Sequence, residues 1–412
     1  ATKGFAIHSG LARSLNRELR RSTVNAEFAR VYGKPGGGEW GEGDKIVLKD
    51  LGATLRRIAT HGPDDFYRGK TADLLVAEMK RGGGLITHAD LARYSAKVRE
   101  PIRFTYRDHV VYSAPPPSSG GITLAQQLQI LENFEVKSEG RWSAATNHLM
   151  IEAMRRAYAL RAEHLGDSDF VPIPGHLTTK AFAKELAESI DRERATDSAT
   201  LGPEITEGND SPQTTHFSVI DKSGMAVSNT YTLEAGYGSG VVVTGAGFLL
   251  NNEMGDFNPR PGVTNKSGTI GTKPNLIAPE KRMLSSMTPT IVTRDGEPFL
   301  ITGSPGGRTI INTVFCVCVN VLDFDMTLRE AIDAPRTHHQ WFPDRARFVG
   351  ANDPRHAEMV KRLRAMGHVV QASGGQGDAN SILVVDGEFR GAADSRYGSA
   401  VGVRKPMKKQ RR

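Results

Sequence analysis

At 412 residues, 38% of them apolar and 24% charged, the chain has the material for a substantial core, in one large α/β domain or in two or three smaller ones. Its net charge of +7, from 53 Lys and Arg against 46 Asp and Glu, is modest for the length and partly due to the terminal "KPMKKQRR", which reads as a solvated tail. The basic residues are dispersed with no recognised nucleic-acid module, and the longest apolar run, "TVFCVCVNVL", falls short of the roughly 20 residues of a membrane span, so neither a nucleic-acid binder nor a membrane-spanning protein is expected.

The N-terminal "ATKGFAIHSG" has no basic segment followed by an apolar run. No signal peptide is expected in it, so either one has been removed or the chain begins inside a longer one. The first half then reads mostly as helices. "DLGATLRRIATHG" places Leu51, Leu55 and Ile58 at helical spacing and stops at Gly62, and "PDDFYRGKTADLLVAEMKRGGG" runs from Pro and acids to glycines. Thr87 and Asp90 in "THADLARY" have the spacing of a capping box. "PIRFTYRDHVVYSAPPPSSGG" reads as a hairpin closed by a rigid Pro/Gly turn, followed by helices at "ITLAQQLQILENF" and "AATNHLMIEAMRRAYALRAEHL". Residues 196–213 are polar, rich in Gly, Pro, Asp and Ser, and read as an exposed linker.

Beyond the linker the pattern changes to strands: "THFSVID", "MAVSNTYTL", "GFLLNN", "TPTIVT" and "PFLITG", with helices at "RTIINTVFCVCVNVL" and "RHAEMVKRLRAMG". Strands and helices in separate blocks point to a layered fold with antiparallel hairpins. The two cysteines, Cys316 and Cys318, would point away from each other on a helix and could not pair. Residues 258–279, rich in Gly and Pro, form a long irregular loop of the kind that serves as a lid.

The stretch "SPQTTHFSVIDKSG" sets two adjacent threonines at the threshold of a strand, just after the linker. By itself such a pair is ordinary β-propensity. A threonine hydroxyl is nevertheless a usable nucleophile if a base lies beside it. A cut before Thr214 would supply one, an α-amine with a pKa of roughly 7.7–8.0. The Gly-rich "GSPGGRTII", between a strand and a helix, matches neither phosphate-binding glycine pattern; it is either turn chemistry or a set of backbone donors for an anion.

The neighbouring motifs decide between these readings. "QTTHFSVIDKSGMAVSNTYTLEAGYGSG", "LLNNEMGDF", "LSSMTPTI" and "TGSPGGRTII", with "GPDDFYRG", "GGLITHADLARY" and "PPPSSGG" upstream, resemble the γ-glutamyltransferase family in order and spacing over nearly the whole chain. The resemblance implies an α+β fold, the four-layer αββα sandwich of the N-terminal nucleophile hydrolases. It also implies a precursor that cuts itself between Gln213 and Thr214, leaving a large-subunit portion, 1–213, and a small catalytic subunit, 214–412. Thr214 would be the nucleophile, Thr232 would orient it, and the amides of Gly306 and Gly307 would form the oxyanion hole. Glu253 and Asp256, with Glu234, would hold the ammonium of a γ-glutamyl group, and Ser285 and Ser286 its α-carboxylate. Thr215, next along the strand, should point the other way and be structural.

The activity implied by the resemblance is γ-glutamyl transfer and hydrolysis, with glutathione and other γ-glutamyl amides as donors and amino acids, peptides or water as acceptors. No metal and no cofactor is implied, and the location would be periplasmic or extracellular. Two departures stand out. Glu234 occupies a position where Asn is common; its carboxylate either strengthens ammonium binding or, crowded by Glu253 and Asp256, has its pKa raised. The family's N-terminal portion, with the arginine that pairs with the carboxylate, is missing from this chain, which suggests a fragment. The competing readings are a glutaryl- or cephalosporin-type acylase of the same family and a catalytically dead scaffold.

Overall fold

A computed structural model describes residues 1–21, 25–202, 214–397 and 399–403. The chain forms two compact units, Ala1–Arg99 with Leu233–Glu253, and Glu100–Thr232 with Met254–Arg412. No helix among the described residues is long and apolar enough to cross a membrane.

The smaller unit is mainly helical, with helices at Ser9–Leu19, Ala26–Tyr32, Lys49–His61, Pro63–Tyr67, Lys70–Gly82 and His88–Arg93. The capping box forms as its spacing requires, Thr87 and Asp90 each accepting from the other's backbone N–H. The Lys49–His61 helix turns a different face inward from the expected one. Gly52 and Thr54 are buried, with Thr54 Oγ1 donating to the Ala246 carbonyl at 2.8 Å, while Leu55 is 51% exposed. "PDDFYRGKTADLLVAEMKRGGG" forms two helices rather than one. The break is at Gly69, where a Cβ would meet Asp65 Cα at 2.9 Å. "GFLLNN" forms no regular strand: only the isolated bridge Val242–Leu249 is present, closed over Gly245 and Gly247 at φ of 74° and 75°.

The larger unit is built on a six-stranded antiparallel sheet in the order Glu388–Ala393, Asn380–Val385, Glu297–Thr302, Thr290–Arg294, His109–Ser113, Ile102–Tyr106. Register places Val111, Val292, Leu300 and Leu383 in one row across four strands, all in the main core with the Gly120–Leu131, Ala144–His164 and Thr309–Leu322 helices. One step along the same face runs a row of hydroxyls, Ser113 to Thr290 at 3.0 Å and Thr302 to Ser381 at 2.8 Å. Every residue of the Gly120–Leu131 helix is buried, so its apolar run shows no amphipathic stripe. Cys316 and Cys318 lie unpaired and buried on the Thr309–Leu322 helix.

A second sheet, the hairpin Thr215–Ile220 with Ala226–Tyr231, packs against the strands of the first. The C-terminal strand pair at Asn380–Val385 and Glu388–Ala393 was not among the expected elements. Its signal is "VVDGEF", where Asp386 and Gly387 take φ of 51° and 77°, as a tight two-residue hairpin turn requires.

The linker is only partly as expected. Ser198 is fully buried: Arg155 donates to its hydroxyl at 2.6 Å, its N–H reaches Asp344 at 2.9 Å, and Trp341 Nε1 holds its carbonyl at 2.8 Å. Residues 203–213 lie outside the described residues. The 258–279 segment is likewise no free-standing flap. Thr264, Asn265 and Asn275 are buried in it, and Asn265 Oδ1 accepts the N–H groups of Ser267, Gly268 and Thr269 at 3.0–3.2 Å.

Candidate active site

Thr214 enters the first strand of the hairpin, and Thr232 follows the last residue of the second. Pairing of Thr215 with Tyr231 brings the two flanking threonines side by side, and Thr214 Oγ1 donates to Thr232 Oγ1 at 3.4 Å. That is long for a hydroxyl pair. Thr215 is exposed, on the opposite face from buried His216, as strand alternation demands. Gln213, the other half of the expected cleavage site, lies outside the described residues.

His216 fixes the hairpin. Its Nδ1 pairs with Thr230 Oγ1 at 2.7 Å on the facing strand and its Nε2 with Ser218 Oγ at 3.1 Å. Burial pushes the imidazole down to about 4, so it is neutral near pH 7 and acts as a strut. The ring sits on Gly303, where a Cβ would lie 2.1 Å from it. Thus the strand that follows Thr214 and the loop that starts at Gly303 are held in contact. His216 and Gly303 were absent from the expected site; "TTH" and "TGS" carry no sequence signal for this contact.

The loop then turns through Gly306 and Gly307 at φ of 134° and 55°, and their carbonyls accept from Thr309 and Ile310 at 3.1 Å as the helix begins. Neither glycine N–H has an acceptor among the described residues. Two adjacent free donors at a helix N-terminus are suited to an oxyanion. A second Gly-rich loop supports this turn from behind. Asp378 N–H donates to Ser304 Oγ at 2.8 Å, and a Cβ on Gly306 would meet Gly377 Cα at 3.3 Å.

Ser285 and Ser286 are zipped to the "PPPSSGG" turn. Ser285 N–H donates to the Pro117 carbonyl at 2.9 Å, and Ser119 N–H returns a bond to the Ser285 carbonyl at 2.8 Å. The glycines of that turn are there for close approach, because a Cβ on Gly120 would sit 2.3 Å from the Met287 carbonyl. Asp256 ends the single 3-10 turn Glu253–Asp256, and its carbonyl accepts from Asn275 Nδ2 at 2.7 Å.

Glu234 and Glu253 belong to the smaller unit. Glu234 is a non-glycine residue at φ 70°, and its carboxylate accepts from Asn252 Nδ2. Asn252 also closes on the chain around Glu234, its N–H to the Leu233 carbonyl at 3.1 Å and its Oδ1 from Ala235 N–H at 3.0 Å. A left-handed Glu clamped this way is stored backbone strain, which commonly marks a working position.

Comparison with known proteins gives the wider setting. The family model described as gamma-glutamyltranspeptidase matches residues 1–403. A glutathione hydrolase proenzyme of Escherichia coli (strain K12) is 45% identical over 398 residues, covering 96% of this chain and 68% of that protein. An acylase ACY 1 proenzyme of Pseudomonas sp. (strain SE83) is 37% identical over 396 residues, covering 95% of this chain and 67% of that protein. The chain therefore spans about two thirds of the length of these relatives. Among solved structures, a cephalosporin acylase from Bacillus halodurans superposes with a TM-score of 0.81 at 24% identity, over 96% of this chain and 70% of that one, and so shares the fold. The expected α+β fold class is the one found, and the chain belongs to the gamma-glutamyltranspeptidase family.

Proposed function

We propose that the protein transfers and hydrolyses γ-glutamyl groups through an ester on Thr214, after cutting itself between Gln213 and Thr214 into a 1–213 large-subunit portion and a 214–412 small subunit. The observation that carries the reading is the Thr214–Thr232 hydroxyl pair at the mouth of a hairpin whose His216 lies on the Gly303–Gly307 loop. Once freed, the Thr214 α-amine takes the hydroxyl proton as the oxygen attacks the γ-amide carbonyl of glutathione or a related amide. Thr232 orients that oxygen. The Gly306 and Gly307 amides receive the charge that develops on the carbonyl oxygen. Collapse expels the amine with the proton, and water or an amino-acid or peptide acceptor then releases the γ-glutamyl group. Glu234, Glu253 and Asp256 hold the donor's ammonium; Ser285 and Ser286 hold its carboxylate. By likeness to the family, the protein works in the periplasm or outside the cell.

Intact-mass measurement with N-terminal sequencing of the purified protein tests this. A small chain beginning "TTHFSV" is expected, Thr214→Ala should abolish both the cut and turnover, and Thr232→Ala should slow both with the fold intact. A chain that stays whole, or a cut elsewhere, would return the dead-scaffold reading. The 37% identical acylase proenzyme keeps a second reading open, glutaryl-type amide hydrolysis. Glu253 and Asp256 argue against it, since such acyl groups have no ammonium for them to meet.

A further inference from the structure

Arg161 lies near the end of the Ala144–His164 helix and is 7% exposed. Its Nε donates to Ser119 Oγ at 2.8 Å, and a terminal nitrogen donates to Ser286 Oγ at 3.0 Å. Ser119 passes the interaction on, its hydroxyl donating to the Ser285 carbonyl at 2.7 Å. A guanidinium carries donors and no acceptor, so the Ser286 oxygen is the acceptor of that bond and its proton is directed elsewhere. Ser285 is in the same position, its Oγ accepting the Met287 N–H at 2.9 Å. Neither hydroxyl proton has an acceptor among the described residues, and both side chains are partly exposed. A hydroxyl that already accepts a hydrogen bond is polarised into a better donor.

We propose that Arg161 is a positioning residue for the carboxylate subsite: its fork grips Ser119 and Ser286 and turns the Ser285 and Ser286 hydroxyl protons toward the α-carboxylate of the acyl donor. The inference rests on the reading of the two serines as carboxylate donors and supplies the reason they are donors. Arginine is required because the two hydroxyls take two N–H groups of one rigid plane; a lysine ammonium on its flexible stem does not reproduce that fork. One turn earlier on the same helix, Tyr158 OH donates to the Arg308 carbonyl beside the Gly306–Gly307 turn, and Arg161 lies over the Tyr158 ring, 6.0 Å from its centroid. A single helix therefore sets both the serine pair and the glycine turn.

The test uses three p-nitroanilides: γ-glutamyl, with ammonium and carboxylate; glutaryl, with carboxylate only; and 4-aminobutanoyl, with ammonium only. KM is measured for each, or Ki where turnover is too slow to follow. Arg161→Lys and Arg161→Met should raise the value for the first two by roughly tenfold or more and leave the third unchanged, with the small subunit still produced. If Arg161→Met fails to fold, Ser119→Ala, which removes one leg of the fork, should give the same selective loss. Equal losses on all three, or no loss, would overturn the proposal. Ser286→Ala in parallel separates the two levels. A selective loss there without one at Arg161 sinks only the role of Arg161, whereas no selective loss at Ser286 removes the serine reading beneath it.

Discussion

Asp256 separates its two jobs by atom. Its backbone carbonyl is held by Asn275, and its carboxylate is the part offered to a ligand ammonium in the proposed mechanism. Asp256→Ala should therefore keep the turn and lose a charge-assisted hydrogen bond, about 1.5–3 kcal/mol, which is a tenfold or greater rise in KM for γ-glutamyl anilides. Glutaryl anilides, lacking the ammonium, should be little changed; an equal loss on both would make Asp256 a structural residue. Glu234 is a different kind of residue. Its side chain is already engaged with Asn252 and its backbone sits in the left-handed region, so its geometry is imposed by Asn252 and the backbone around it.

The hairpin, the glycine turn and the 258–279 segment behave as elements, each fixed by one or two buried contacts. Gly303 is the seat of His216, and a methyl there would have to displace the imidazole and with it the Thr230 bond. Gly303→Ala should cost roughly 1–3 kcal/mol by overpacking and slow self-cleavage, because it shifts the hairpin that bears Thr214. Denaturant titration and a time course of small-subunit appearance would check both. The 258–279 segment is held by Asn265, whose side-chain carbonyl serves three backbone N–H groups and the Ser267 hydroxyl. Asn265→Ala removes the side-chain acceptor from these groups, leaving the Gly268 N–H its bond to the residue 265 backbone carbonyl, and should destabilise by about 1–3 kcal/mol, seen as a lower Tm. An unchanged Tm would restore the picture of a loose lid.

Across the whole molecule, stability is tied to pH through buried histidines. Burial pushes His216 and His339 down to about 4 and His368 to about 3, and each keeps a neutral ring inside the fold. The unfolded chain binds protons at these sites from about pH 6.5 downward while the folded chain does not, so stability must fall as pH drops from about 6.5 toward 4. The slope is about 1.4 kcal/mol per pH unit for each such histidine. Asp323 and Asp378, which burial pushes up, act in the opposite sense. Denaturation midpoints at pH 7, 6 and 5 should decrease in that order, and a flat series would refute the claim. His148, Glu152 and His368 offer ligand atoms within 4.8 Å of one another, but Glu152 is ion-paired with Arg155 and Arg156, and His148 Nδ1 meets His368 Nε2 at 2.8 Å. This is a buried polar lock. It anchors Thr196 and Ser198 on the way to the proposed cut, as Thr196 N–H donates to Glu152 at 3.2 Å and Arg155 donates to Ser198.

The family, the hairpin that begins after Thr214, the capping box at Thr87 and the glycine turn at Gly306 were all legible in the order of the amino acids. Each is written in contiguous residues: a strand alternation, a three-residue spacing, a positive φ that only glycine takes readily. The buried face of Lys49–His61 was not legible, because Thr54 goes inside for a hydrogen bond to a carbonyl 192 positions away. "GFLLNN" was misread as a strand, because an apolar run has no fixed partner until the chain folds around it. The contacts that shape the candidate site, His216 on Gly303, Asp378 on Ser304 and Arg161 on Ser286, join residues 74 to 125 positions apart along the chain. These came from the folded arrangement alone, since a close approach between distant backbones leaves no periodicity in either segment.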